Sequence, residues 1–245
     1  MDDGRFDALT RVVSRKMPRR QAIAALAGLG LATLPWAARA RKHDATRSAD
    51  ADAGQGRYRT LASKWWAWAI DQNLDPLFES GDVDCAAGQR GNTWFLAGSG
   101  FGGDQVERSC SVPAGTKLFF PVINYVAFSP PGQDACPAES HRTTRQLQEH
   151  QDCVTAFIDA GVDPAELTAT VDGSAALITR ARSALYPLHV AAGNVFGAPP
   201  GTYLEATDGY WTLLDPLPPG EHDISFTADY AGVPAVDVTY HLAVG

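Results

Sequence analysis

The end of the chain constrains the fold most. From His222 to Tyr230, Ile224, Phe226 and Ala228 alternate with Asp223, Ser225, Thr227 and Asp229. From Ala235 to Val244, Val236, Val238, Tyr240, Leu242 and Val244 alternate with Asp237, Thr239 and His241. Strand side chains point to opposite faces in turn, so each run makes a strand with one buried and one solvated face. The short Gly/Pro connection between them predicts an antiparallel hairpin. Placing Asp229 opposite Ala235 sets Asp223 opposite His241, Ser225 opposite Thr239 and Thr227 opposite Asp237 on the polar face.

Upstream, two segments carry helical spacing. From Arg57, the residues Tyr58, Leu61, Ala62, Trp65, Trp68 and Ala69 form one apolar stripe widened by Trp66, with Arg59, Thr60, Ser63, Lys64 and Asp71 off it, and Asp75-Pro76 supplies a stop. Tryptophans so close resemble an aromatic platform for sugars, but each buries a large apolar area when packed, so a core role is expected. A second helix is predicted from about Arg142 to Ala160, with Leu147, Cys153, Val154, Phe157 and Ile158 as its stripe and Gly161 and Asp163-Pro164 as its stop. His150 lies near that stripe and reads as a core-edge side chain with a satisfied hydrogen bond.

The remainder reads as strands: Thr93 to Leu96, Val106 to Val112, Lys117 to Phe128, Leu167 to Val171, Ala176 to Arg182 and Tyr203 to Leu214. The segment Gly98 to Gly103 satisfies G-x-G-x-x-G, which in a dinucleotide fold opens directly into a helix. Here a strand-like alternation follows instead, so a flexible hairpin loop is expected. The whole predicts one domain over residues 57–245: a mostly β fold, an antiparallel β-sandwich with two packed amphipathic helices. Its expected core is Phe119, Phe120, Ile123, Trp211, Leu213, Ile224, Phe226, Val238, Tyr240 and Leu242.

The start of the chain has a different character. Arg19-Arg20 precedes an uncharged run from Gln21 to Ala38, closed by Ala38-Arg39-Ala40, which fits an export signal over residues 1–40 cleaved after Ala40. The paired arginines and the weakly apolar middle resemble a twin-arginine signal, although Pro18 stands where Ser or Thr is usual and Ala22 where a large apolar residue is usual. Residues 41–56 hold almost nothing apolar larger than alanine and read as a flexible linker.

Cleavage would remove seven of the 20 Lys and Arg and three of the 28 Asp and Glu, leaving 13 against 25 and a charge near −12. So acidic a surface disfavours phosphate backbones and anionic lipid headgroups, which excludes nucleic acid as an expected partner and stable membrane insertion after cleavage. A secreted or extracytoplasmic location follows, in the periplasm or at the cell surface. All four cysteines lie after the signal, and none forms C-x-x-C, so disulfides are expected rather than zinc or redox chemistry. Of three possible connectivities, Cys85–Cys110 and Cys136–Cys153 are favoured because each closes a short loop between adjacent elements.

The motifs Trp65-Trp66-Ala67-Trp68, Trp94-Phe95-Leu96-Ala97-Gly98, Cys110-Ser111-Val112-Pro113-Ala114-Gly115, Asp208-Gly209-Tyr210-Trp211-Thr212-Leu213-Leu214 and Val238-Thr239-Tyr240-His241-Leu242 resemble those of a family of uncharacterised secreted bacterial proteins. The turn Leu217-Pro218-Pro219-Gly220-Glu221-His222 resembles the L-x-x-G-x-H turn of bacterial immunoglobulin-like surface domains. The resemblance implies secretion and a β-sandwich, and it brings no activity with it.

G-x-S-x-G, H-E-x-x-H and Walker segments are missing from the sequence, and the six histidines are too scattered to suggest a site. The expected role is therefore a non-catalytic binding or cell-envelope module, with no metal or organic cofactor and an unknown protein or carbohydrate ligand. Its candidate contact face is Asp223, Thr227, Asp237, Thr239 and His241. The alternative is an extracellular hydrolase, possibly acting on carbohydrate. A carboxylate beside an imidazole can serve as a general-base pair, and Asp223 with His241 is the candidate.

Overall fold

The computed structural model describes residues 54–70, 80–99, 103–126, 136, 144–194 and 199–245, within one compact unit spanning Asp52–Gly245. Arg19, Arg20, Ala38 and Ala40 of the expected signal lie outside them, as do most of the 41–56 stretch and the Asp75-Pro76 stop. Helix α1 covers residues 54–70, so it starts three positions before the apolar pattern does. Strands follow as β1 (Gly81–Asp82), β2 (Thr93–Phe95), β3 (Gln105–Val112) and β4 (Lys117–Val126), then helix α2 (Thr144–Gly161). Next come β5 (Thr168–Val171), β6 (Ser174–Ala175), β7 (Thr179–Arg180), β8 (Tyr186–Val190), β9 (Gly201–Glu205), β10 (Thr207–Leu214), β11 (Gly220–Tyr230) and β12 (Val233–Val244).

The strands form a six-stranded sheet, β1-β3-β12-β11-β5-β6, a four-stranded sheet, β2-β4-β10-β7, and a separate β8-β9 ribbon. The mostly β fold with two helices is as the sequence predicts, but the sheets are mixed rather than antiparallel. β3 runs parallel to both β1 and β12, and β2 runs parallel to β4. The connection from β2 to β3 explains this. It crosses from the four-stranded sheet to the six-stranded one, so the glycine-rich segment is no hairpin loop. Alternation within a strand reports its faces and carries no information about the direction of its neighbours.

The layers follow from which faces are apolar. Ile224, Phe226, Val238, Tyr240 and Leu242 of the six-stranded sheet pack against Leu118, Phe120, Val122 and Tyr210 of the four-stranded sheet. Phe119 and Trp211 emerge on the other side and meet Tyr58, Ala62, Trp65 and Ala69 of α1. The four-stranded sheet is thus covered twice, which is why β4 is an almost unbroken apolar run while β11 and β12 alternate. Pro121 cannot donate to a ladder, and it sits where the β4–β10 register shifts between Tyr210 and Trp211. Phe119 stacks on Trp211 at 5.2 Å, and Trp65 meets Trp211 edge-on at 5.9 Å. The Trp65 indole donates to Leu96 O (2.8 Å), the Trp66 indole to Thr207 Oγ1 (3.0 Å) and the Trp68 indole to Ala87 O (3.0 Å). Trp65 and Trp66 are buried and Trp68 half-buried, so the tryptophans are core and not a sugar platform.

Of the ten expected core residues, all are buried except Leu213, which is half-buried near the end of β10. The predicted strand Ala176 to Arg182 shrinks to β7, and Tyr203 to Leu214 is split at Ala206. Both disulfides form as expected, Cys85–Cys110 and Cys136–Cys153. The second joins α2 to residue 136, and α2 lays Phe157 between Tyr125 (3.9 Å) and Tyr230 (4.7 Å). Gly161 ends this helix where a Cβ would stand 2.3 Å from the Tyr230 ring, so a larger residue would have to displace that ring.

Two motifs gain a physical reading here. In Asp208-Gly209-Tyr210-Trp211, buried Asp208 accepts from Arg180 Nη2 at 2.8 Å and from the Gly209 amide at 2.8 Å. A Cβ on Gly209 would lie 2.5 Å from Ile123 O, so the central strands approach only over glycine. In Trp94 to Gly98, the backbone is held by Arg108, which points inward from β3. Its Nη1 donates to Ala97 O (3.1 Å), Gly98 O (2.9 Å) and Tyr240 Oη (3.0 Å).

Candidate functional site

The outer face of the six-stranded sheet is built by the register of its strands. β11 and β12 pair Asp223 with His241, Ser225 with Thr239 and Thr227 with Asp237, as the alternation predicts. The register shifts between Ala228 and Asp229, so Asp229 faces Pro234 and not Ala235. The bulge sits beyond the polar rows and leaves them intact. On the flanks, β5 adds Thr168 beside Thr227 and Thr170 beside Ser225, while β3 adds Gln105, Glu107 and Ser109 beside Asp237, Thr239 and His241. Four adjacent strands therefore present hydroxyls, amides, carboxylates and one imidazole, all exposed or half-buried.

These groups hold one another in place. His241 Nδ1–H donates to Asp223 Oδ1 at 2.7 Å, Ser225 Oγ lies 3.1 Å from Thr239 Oγ1, and Thr168 Oγ1 lies 2.6 Å from Thr227 Oγ1. The carboxylate fixes the imidazole tautomer, so in the neutral ring Nε2 is left as an acceptor. The face brings together all five residues expected there: Asp223, Thr227, Asp237, Thr239 and His241.

A second imidazole plays a different part. His222 turns to the inner side of β11, where Nδ1–H donates to Asp172 Oδ2 (2.8 Å) and Nε2–H to Pro218 O (2.9 Å). Two acceptors on two ring nitrogens require the protonated imidazole. The Asp172 carboxylate, then the Pro218 carbonyl, hold the His222 pKa above its ordinary value. The same hydrogen bond, with the Asp223 amide (2.9 Å), holds the Asp172 carboxyl below its own. Asp172 has φ 50° in the two-residue Asp172-Gly173 hairpin turn between β5 and β6, a position that tolerates Asp and Gly. The L-x-x-G-x-H turn is thus a clip: its histidine ties the turn before β11 to the β5–β6 turn.

Sequence reasoning missed a buried cluster. His150 is not at the core edge: it is 0% exposed, and its Nε2 lies 3.3 Å from Oε2 of Glu205, itself 1% exposed. Burial raises the Glu205 carboxyl above its ordinary value, and His150 pulls it back. Burial also pushes the nearby Tyr125 phenol up to about 12 and the Tyr186 phenol well above its ordinary value, with Glu205 adding to both. The available signal was a lone glutamate inside the strand-like run from Tyr203 to Leu214. Its partner lies 55 positions away in the chain, on a helix, where no local pattern reaches.

No family model matches the chain, and no curated protein matches it. Among solved structures, the chain is similar to the solution structure of amebosin, at 9% identity over 69% of this chain and 100% of that one. The TM-score is 0.21, too low a likeness to bear on fold or function.

Proposed function

We propose that this chain is an exported, non-catalytic binding module whose contact surface is the outer face of the six-stranded sheet. The observation that carries the reading is the cross-strand ladder centred on Thr239. Three of its side-chain pairs are hydrogen-bonded before any ligand arrives, so those groups lose little freedom on binding. A flat row of hydroxyls and carboxylates suits a polar ligand, either a carbohydrate or a cationic protein segment. Export rests on the Arg19-Arg20 signal, with the twin-arginine route favoured, and on two disulfides, which persist in oxidising compartments. No helix among the described residues is long and apolar enough to cross a membrane. Membership of the secreted bacterial family and the immunoglobulin-like character of the final hairpin belong to the same proposal and rest on the quoted motifs.

A hydrolase is the second reading, and one observation favours it. Asp223, His241 and Ser109 stand in register on β11, β12 and β3, with the carboxylate on Nδ1 and the serine on the far side of the imidazole. That is the order in which a carboxylate, a base and a nucleophile cooperate. Against it, no hydrogen bond joins Ser109 to His241 among the described residues, and the face is open rather than enclosed. A screen of the purified protein against glycosides, esters and peptides separates the two. Binding alone gives no turnover that depends on His241, whereas turnover abolished by His241→Ala in a folded protein establishes the hydrolase.

A further inference from the structure

We propose that the cleft between α1, α2 and the segment leading into β8 is a second binding site, for a small carboxylate-bearing saccharide. The cleft has a volume of about 560 Å³ and is lined by Arg59, Thr60 and Ser63 of α1, Gln151 of α2, and Arg182 and Tyr186 among others. That size lies within the ordinary range of small-molecule sites, roughly 300–1,000 Å³. It also leaves an inorganic anion filling only a small part of the space.

The lining selects the ligand's charge. The chain as a whole carries a net charge of −8, yet two arginines and no acidic residue are among those lining this cleft. Arg182 donates to Thr155 Oγ1 at 3.1 Å, and the nearest acid is Asp152, 3.8 Å away and well exposed. Among the described residues, the Arg59 guanidinium donates to the uncharged Gln55 side chain, at 3.4 Å. Both cations therefore keep donors for an incoming oxyanion, and a planar guanidinium matches a carboxylate in bidentate fashion.

The remaining lining suits sugar hydroxyls. Thr60 and Ser63 bond carbonyls of their own helix, at Gly56 O and Thr60 O (both 3.0 Å), and each hydroxyl oxygen still accepts. Gln151 makes a long 3.5 Å contact with Ser183 O. The Tyr186 hydroxyl is sequestered from solvent and has no hydrogen-bond partner among the described residues. Burial of that hydroxyl, with Glu205 near it, keeps it out of the cleft, which Tyr186 lines with its other atoms. This site stands apart from the outer sheet face, and neither proposal depends on the other.

Calorimetric titration of the purified protein with digalacturonate, its neutral galactose counterpart and inorganic sulfate tests the proposal. Digalacturonate should bind saturably, at least tenfold more tightly than either of the others, and more weakly as salt is raised. Arg59→Gln should weaken binding severalfold. This exposed helix position leaves folding intact, as the melting temperature checks. The Arg59→Gln/Arg182→Gln double variant should lose at least tenfold, and Arg145→Gln, on the exposed side of α2, should change nothing. Equal affinity for the acidic and neutral sugars, sulfate binding as well as digalacturonate, no saturable binding of digalacturonate, or wild-type affinity in folded Arg59→Gln would each overturn it.

Discussion

His222 shows how a single side chain can make stability depend on pH. Its folded pKa is raised, so its contribution is complete below the ordinary histidine value of about 6.5 and fades as pH rises through the folded value. Asp172 has the opposite sign: its pKa is lowered, so its contribution holds above about 3.9 and is lost as pH falls through the folded value. The clip is therefore strongest between about pH 4 and 6.5. Wild type should lose more melting temperature than His222→Gln between about pH 6 and 8, with the difference between the proteins closing at the upper end. Parallel melting curves across that range would show that the two ring hydrogen bonds contribute nothing to folding. The residue type was visible in the L-x-x-G-x-H turn, but its role was not, because Asp172 comes from another hairpin.

Elements differ in how far their sequence reveals them. The faces of the final hairpin and the pairing of its polar rows were legible because one face is wet and the other dry, and a one-residue slip would exchange them. Its bulge was not legible, since the shift between Ala228 and Asp229 lies next to the turn, beyond the alternating rows that set the register. α1 was readable from its stripe, whereas the inward-facing Arg108 of β3 was not, because a buried guanidinium depends on the carbonyls of Ala97 and Gly98 for its acceptors. The core prediction is testable at Phe226, which is fully buried and stacks on Phe120 at 4.7 Å. Phe226→Ala should cost about 3–5 kcal/mol in a denaturant titration. A midpoint unchanged from wild type would place that side chain outside the core.

At the scale of the layers, the described residues leave one large sheet face without a cover. The four-stranded sheet lies between the six-stranded sheet and α1, while the described outer side of the six-stranded sheet is polar. The candidate face was legible because it belongs to the alternating hairpin, while the cleft and the His150–Glu205 pair arise where distant segments meet. If the chain is exported as proposed, N-terminal sequencing of the secreted protein should begin at Arg41, and a mature form retaining residues 19–36 would point to a membrane anchor instead. The working surface is tested most directly by probing an array of polysaccharides and cationic peptides with wild type and with Thr239→Arg, which sets a long cation at the centre of the ladder. Wild type should bind a subset of the array, and the folded variant should lose that signal at least tenfold. Identical signals from the two proteins would contradict a binding role for this face.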